Sequence, residues 1–311
     1  MRCDDFGLRR PGCLPSGLLT AVATFSVIGG VVGYASDMVD FDLPDSLDDV
    51  DRWVAQRVLH PAATLHHEAM TRLAEDPSVT IQSPRISSSL LAAITSGSVE
   101  AGKIASRLGR PVSNVAVPPN RLVEAGFVVR HEDPVRARRP LYALADPFLQ
   151  FHLSVLEPHG PLRRERRPRE AWDARLRHVF DSSVRGPVFE EMARTWVRRW
   201  ASTKTVASKD HVGPSSVSYD GKDWQLDVVC AGEGYVPGDR PVTALGQAKS
   251  GERLTATRLR GLERARAQLC GRAKGAKLLL FGPDVDGALR REASGRMDVE
   301  LIDLERRYTG S

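Results

Sequence analysis

The 311-residue chain is short of cysteine, of aromatic side chains and of long apolar runs. Its four cysteines, Cys3, Cys13, Cys230 and Cys270, show no CxxC spacing and no nearby histidine. A zinc site is therefore not indicated, a disulfide framework is a poor fit, and we expect a reducing, cytoplasmic compartment. The sequence also contains no GxxxxGK[ST] phosphate loop, so this chain alone is expected to have no nucleotide site and no ATPase activity.

One uncharged stretch, Leu18 to Ala35, follows Arg9 and Arg10. Its 18 residues are at the lower limit for a membrane span, and a signal peptide is a further alternative. The stretch contains hydroxyl residues and the Gly29-Gly30 pair, which favour a helix in a soluble bundle. We therefore expect no membrane partner.

Positive charge is concentrated in one part of the chain. The net charge is +5, and residues 130–200 hold 15 arginines and no lysine against 10 acidic residues. Arginine is suited to bidentate contacts with phosphate, so a nucleic-acid partner is permitted.

Residues 84–146 are predicted to form a winged helix-turn-helix, with three helices and then two strands around an arginine-rich loop. The Pro118-Pro119 pair must break or kink the third helix. The predicted elements are Ser87–Ser96, Val99–Leu108, Ser113–Ala125, Phe127–His131 and Leu141–Ala145.

DNA is the expected partner of this module, mainly through the phosphate backbone. The alternative is a protein-interaction or spacer module. The candidate DNA-contacting residues are polar groups of the third helix and arginines of the wing: Asn114, Asn120, Arg121, Arg136, Arg138 and Arg139.

The stretch from Trp224 to Gly251 predicts two strands joined by a loop rich in glycine and proline. Asp227 lies on the first strand, and the second ends in Gln247, Ala248 and Lys249. Because side chains alternate along a strand, Gln247 and Lys249 share a face. A carboxylate beside an amide oxygen and an ammonium suits a magnesium ion next to a phosphate. The alternative is a buried aspartate that happens to precede a surface lysine.

This pattern resembles the core of the PD-(D/E)XK nuclease superfamily, although Gln247 stands where an acidic residue is usual. A QxK ending also occurs in Mrr-like restriction endonucleases. In the superfamily, a helix before the sheet carries a glutamate that closes the metal site. The resemblance implies that role for Glu190 in the segment GPVFEE, with Glu191 as the less favoured choice. Without a metal, a carboxylate at this position is favoured by the helix dipole alone.

The predicted order of elements after residue 178 agrees with that resemblance, up to about residue 305. It is helix, three strands, helix, strand, helix, strand, and the first of the three strands is predicted near Thr205–Ala207. The later elements are predicted at Thr255–Cys270, at Ala276–Phe281, in a helix reaching Arg291, and at residues 299–304.

The chain as a whole is similar to the C-terminal half of the archaeal-type (AAA-like) ATPase family. The similarity rests on Ile28-Gly29-Gly30 with Tyr34, and on Tyr142, Leu144, Asp146, Phe148, Leu149 and Phe151. It implies a helical lid remnant at 1–83, a winged helix at 84–146, a helical and basic linker at 147–177 and a nuclease-like domain at 178–311. It also leaves open an ATPase partner supplied in trans.

The expected fold class is therefore α+β, combining helical, winged-helix and nuclease-like parts. The leading hypothesis is a DNA-associated protein whose nuclease-like domain is degenerate. The alternative is a DNA endonuclease that holds magnesium with Asp227, Glu190 and Gln247 and uses Lys249 beside the phosphate. The sequence alone leaves both open.

Overall fold

The computed structural model describes residues 16–36, 39–40, 42–60, 63, 68, 71, 75, 84–95, 97, 99–109, 111, 117–160 and 167–309. These residues form two compact units of mixed α and β structure. The N-terminal unit comprises residues 16–130 and 141–188, and the C-terminal unit comprises residues 131–140 and 189–309.

Helices dominate the N-terminal unit. Its helices are α1 (Ser16–Ile28), α2 (Val32–Ser36), α3 (Leu47–Trp53), α4 (Pro84–Ile94), α5 (Ala101–Leu108), α6 (Val117–Glu124), α7 (Pro147–Phe151), α8 (Pro168–Ala171) and α9 (Arg177–Phe180). Turns of π-helix, at Val54–Val58, His152–Leu156, Trp172–Leu176 and Asp181–Arg185, continue or join several of them. Its short strands are β1 (Val99–Glu100), β2 (Val128–His131) and β3 (Leu141–Leu144).

The segment from α4 to β3 has the arrangement of a winged helix. Its three strands form a sheet in the order β1-β3-β2, with β1 antiparallel to β3. The described part of the third helix begins at Val117, so the two prolines fall in its first turn. Proline is tolerated there because the first-turn N–H groups have no partner within the helix. Residues 113–116 of the predicted helix lie outside the described residues.

The Gly29 turn after α1 packs closely against the start of α7. Gly29 adopts φ +64°, and a Cβ atom there would lie 2.9 Å from Oδ1 of Asp146. The same Asp146 oxygen caps α7 by accepting the N–H of Phe148 at 2.9 Å. Among the described residues, no helix is long and apolar enough to cross a bilayer.

The C-terminal unit is built on a mixed five-stranded sheet with the order β4-β5-β6-β7-β8. The strands are β4 (His211–Tyr219), β5 (Lys222–Ala231), β6 (Val242–Ala248), β7 (Lys277–Phe281) and β8 (Val299–Ile302). β5 runs antiparallel to both of its neighbours, β4 and β6, whereas β6, β7 and β8 are parallel to one another. The helices are α10 (Gly186–Trp200), α11 (Ala256–Gln268), α12 (Gly287–Ala293) and α13 (Leu304–Thr309).

Helices cover both faces of this sheet. Leu259 and Leu262 of α11 are buried in one apolar cluster with Leu226 and Leu245 of the sheet. On α10, the Trp196 ring packs edge to face against Phe281 of β7, with 5.8 Å between ring centroids. The predicted order of helices and strands is confirmed, but the first strand lies at β4 rather than near Thr205–Ala207, where the structure has a turn.

Residues 131–140, which we call the wing segment, comprise the last residue of β2 and the loop before β3, and they fold with the C-terminal unit. Val135 is buried in the same apolar cluster as Leu226. Asp133 accepts hydrogen bonds from the hydroxyl of Ser215 at 2.8 Å and from the Val135 N–H at 2.9 Å. At Gly213, a Cβ atom would lie 2.6 Å from the Glu132 carbonyl oxygen, so the segment crosses the edge strand β4 where only glycine fits.

Candidate functional site

Asp227 and the QAK sequence meet on adjacent strands. Val228 pairs with Gly246, which places Asp227 beside Gln247 across the β5–β6 ladder. Oδ2 of Asp227 accepts the backbone N–H of Ala248 at 2.9 Å and lies 3.8 Å from Nζ of Lys249. Lys249 follows β6 directly. Gln247 pairs with Leu280 of β7, whose side chain lies in the apolar cluster on the α11 side of the sheet.

Asp227 is buried while Lys249 is one-quarter exposed. Burial raises the pKa of the Asp227 carboxyl, and the charge of Lys249 and the Ala248 N–H oppose part of that rise. The carboxylate is thus enclosed by protein, and the ammonium beside it reaches solvent. A substrate phosphate could approach from the lysine side.

The Gln247 amide is only half satisfied. Its Nε2 donates weakly to the Gln225 carbonyl at 3.4 Å, but its buried Oε1 has no hydrogen-bond partner among the described residues. A buried oxygen without a donor carries a desolvation cost that a cation or an ordered water would relieve.

Glu190 on α10 belongs to the same electrostatic cluster. Burial and the neighbouring Asp227 carboxylate raise the pKa of Glu190 to about 8, although Arg194 and Lys249 act in the opposite direction. Two carboxylates that repel one another in a poorly solvated place are what a divalent cation would stabilise. The structure thus brings Lys249 close to Asp227 and couples Asp227 electrostatically to Glu190, while Gln247 lies on the adjacent strand.

Four side chains next to this cluster form a network that the sequence did not reveal. Arg194 is buried on α10 and donates from Nε to Glu191 at 2.8 Å and from Nη1 to the backbone oxygen of Asp227 at 2.7 Å. Arg198 donates to the other Glu191 oxygen at 2.8 Å. Nε2 of His131, at the base of the wing segment, lies 3.3 Å from Glu191.

The network fixes the ionisation of its members. Burial disfavours the Glu191 charge, but Arg194, His131 and Arg198 overcome it and lower the Glu191 pKa to about 2. Burial, with the two arginines, lowers the pKa of His131 to about 4 even though Glu191 opposes the shift. Glu191 is therefore engaged with arginines, which leaves Glu190 as the glutamate beside Asp227.

The residues fit a magnesium ion only in part. Among the described residues, no three His, Cys, Asp or Glu side chains lie close enough to hold a metal ion together. The candidate donors are two carboxylates and the unpartnered amide oxygen of Gln247. Magnesium prefers oxygen ligands and usually keeps several waters, so a site with few protein ligands is compatible with its chemistry.

The predicted DNA-contacting residues are divided between the two units. Asn120 and Arg121 are exposed on α6 in the N-terminal unit, and Asn114 lies outside the described residues. Arg138 and Arg139 are exposed, Arg136 is half-buried, and all three belong to the wing segment in the C-terminal unit.

No family model and no curated protein sequence matches this chain. Among solved structures, a MarR-family transcriptional regulator from Rhodococcus sp. RHA1 is similar at 21% identity and a TM-score of 0.19, over 49% of this chain and 94% of that one. Protein VC1899 from Vibrio cholerae is similar at 12% identity and a TM-score of 0.25, over 79% of this chain and 55% of that one.

Proposed function

We propose that this chain is a DNA phosphodiesterase that depends on a divalent cation held by Glu190, Asp227 and Gln247. The observation that carries the proposal is the buried Asp227 carboxylate with the Lys249 ammonium 3.8 Å away, next to a strand on which the buried Gln247 Oε1 has no partner among the described residues. An ordinary buried glutamine would have both ends of its amide satisfied. The resemblance to the PD-(D/E)XK superfamily implies a metal ligand at Gln247.

The side chains have separate tasks in this proposal. When bound, a magnesium ion supplies Lewis-acid polarisation of the phosphate. Asp227 and Glu190 provide negative charge that attracts the cation, and burial makes that attraction strong. Lys249 is 3.8 Å from Asp227 and partly exposed, so its ammonium can donate a hydrogen bond to a phosphate oxygen and stabilise charge that develops there.

Each unit offers residues that we expect to contact DNA. The winged helix offers Asn120 and Arg121 on α6, and the wing segment offers Arg138 and Arg139 beside the sheet that bears the candidate site. Contacts of this kind go mainly to phosphates, so binding should weaken steeply as salt rises. The resemblance to the archaeal-type ATPases adds the proposal that an ATPase supplied in trans assembles with this chain.

The second candidate is a DNA-binding protein whose nuclease-like domain no longer cleaves. It is favoured by Gln247 standing in place of an acid, and by the raised pKa of Glu190, which keeps this carboxyl protonated at neutral pH when no cation is bound. In that case the C-terminal unit would serve as a scaffold for the wing arginines.

Plasmid nicking separates the two candidates. The parent chain, incubated with Mg²⁺ or Mn²⁺, is expected to convert supercoiled plasmid to open circles, and EDTA should abolish the conversion. Asp227→Asn keeps an acceptor for the Ala248 N–H while removing the charge, and we expect it to be inactive. Asp223→Asn on the exposed part of the same strand is the matched control and should nick like the parent. Equal inactivity of all three proteins with either metal would leave the scaffold as the surviving candidate.

A further inference from the structure

Arg194 is the one buried guanidinium that joins the helix of Glu190 to the strand of Asp227 within the described C-terminal unit. Its side chain is 2% exposed, so water cannot replace the bonds that it makes. Nε is held by Glu191, one turn back on α10, and Nη1 donates to the backbone oxygen of Asp227. Guanidinium N–H groups have a rigid planar geometry, so these two bonds fix the distance between helix and strand.

That distance also sets the separation of two proposed cation ligands. Glu190 precedes Glu191 on α10, and the carboxylate of Asp227 belongs to the residue whose carbonyl Arg194 binds. Magnesium requires nearly ideal ligand distances, so a small displacement of the strand relative to the helix would weaken binding. We propose that Arg194 is a positioning residue that holds the Asp227 and Glu190 carboxylates at the separation a divalent cation needs.

The direction in which removal of Arg194 changes the metal affinity distinguishes a positioning role from a purely electrostatic one. Arg194 is a cation near the site, so its charge alone repels a metal ion, and removing it would tighten binding. If its main role is geometric, removing it loosens the two ligands and weakens binding. Removal of residues that orient metal ligands typically costs roughly 10- to 100-fold in metal affinity.

Arg198 provides the matched control. It lies one turn further along α10 and donates to the same Glu191, but its second contact goes to the Val212 carbonyl at 3.3 Å, on β4, rather than to Asp227. Loss of Arg198 therefore removes a similar charge and a similar ion pair and leaves the link between α10 and Asp227 intact.

The experiment is a titration of the full-length chain with Mn²⁺. Binding is measured by calorimetry and, independently, by the EPR signal of free Mn²⁺. Because replacing Arg194 alone leaves Glu191 less compensated, the double variant Glu191→Gln/Arg194→Met is tested beside Arg194→Lys. A metal-free melting curve for each protein shows that it is folded.

We expect the double variant to bind Mn²⁺ roughly 10- to 100-fold more weakly than the parent. Arg194→Lys should also bind more weakly, because an ammonium lacks the planar fork, and Arg198→Met should bind like the parent. Unchanged or tighter binding by folded Arg194 variants, or an equal loss in Arg198→Met, would overturn the assignment. This inference rests on the proposed function: a parent chain that binds no Mn²⁺ refutes both, whereas a parent that binds it and is indifferent to Arg194 refutes this inference alone.

Discussion

Burial of His131 beside Glu191 makes the stability of the C-terminal unit depend on pH. Its pKa is lowered from 6.5 to about 4, because burial, Arg194 and Arg198 all disfavour the imidazolium more than Glu191 favours it. The unfolded chain therefore takes up a proton on His131 as pH falls through about 6.5, and the native chain does so only near pH 4. The free energy of unfolding should fall across that window.

The size of the effect follows from the shift itself. A displacement of about 2.5 pH units, at ~1.36 kcal/mol per unit, corresponds to about 3 kcal/mol lost between pH 7 and pH 4. Glu190 acts in the opposite direction, because its pKa is raised to about 8 and its native carboxyl gains a proton as pH falls from 8 towards 4.5. The pH profile of the unfolding free energy therefore contains contributions from both groups. Only the difference between the parent and a His131 variant isolates the contribution of His131.

The assay compares the parent with His131→Gln by amide hydrogen exchange in β5, which reports the C-terminal unit separately from the rest of the chain. The difference in free energy, parent minus variant, should fall by about 3 kcal/mol from pH 7 to pH 4. His178→Gln removes an exposed imidazole from α9 and serves as the control. Its curve of unfolding free energy against pH should run parallel to that of the parent. Parallel curves for the parent and His131→Gln would refute the burial and contacts assigned to His131.

Three further outcomes are expected. Gly213→Ala should displace the wing segment, because its Cβ would lie 2.6 Å from the Glu132 oxygen. The melting temperature should therefore fall by several degrees. Gly238→Ala, with no atom within 4 Å of the added methyl, should leave the melting temperature unchanged. Gln247→Glu should strengthen Mn²⁺ binding and lower metal-free stability, because it adds a third carboxylate to the cluster; calorimetry and melting curves measure the two effects. Arg138→Ala should weaken DNA binding uniformly across sequences and reduce the slope of log affinity against log salt by about 1 in fluorescence anisotropy.

Much of the arrangement around the candidate site could be predicted because it depends on local pattern. The order of elements requires the strand of Gln247 to be near that of Asp227, and the two strands are paired. The glutamate on α10 was reached through the resemblance. By contrast, β4 was predicted in the wrong place, since His211–Tyr219 contains Gly213 and Pro214, which read as a loop. Proline is accommodated there because the strand is at the edge of the sheet and has a bulge between Gly213 and Ser215.

The wing segment and the Arg194 network depend on tertiary contacts that leave no periodic signal. Val135 lies in a loop rich in arginine and proline, and nothing in that sequence indicates that it completes the core of another unit. Arg194 occupies a position on α10 that reads as an ordinary polar residue, and only the position of the Asp227 carbonyl gives it a role. Helical and π-helical turns from Arg177 onward lead into α10 without a break.

The proposed site for a divalent cation consists of Glu190, Asp227 and Gln247. The most direct measurement is the melting temperature of the full-length chain as Mg²⁺ or Mn²⁺ is added, compared with Asp227→Asn. A cation that binds only the folded state stabilises it by about 2.7 kcal/mol at 100 times its dissociation constant, so the parent should melt progressively later and Asp227→Asn should not respond. Identical melting of both proteins at every metal concentration would contradict that proposal.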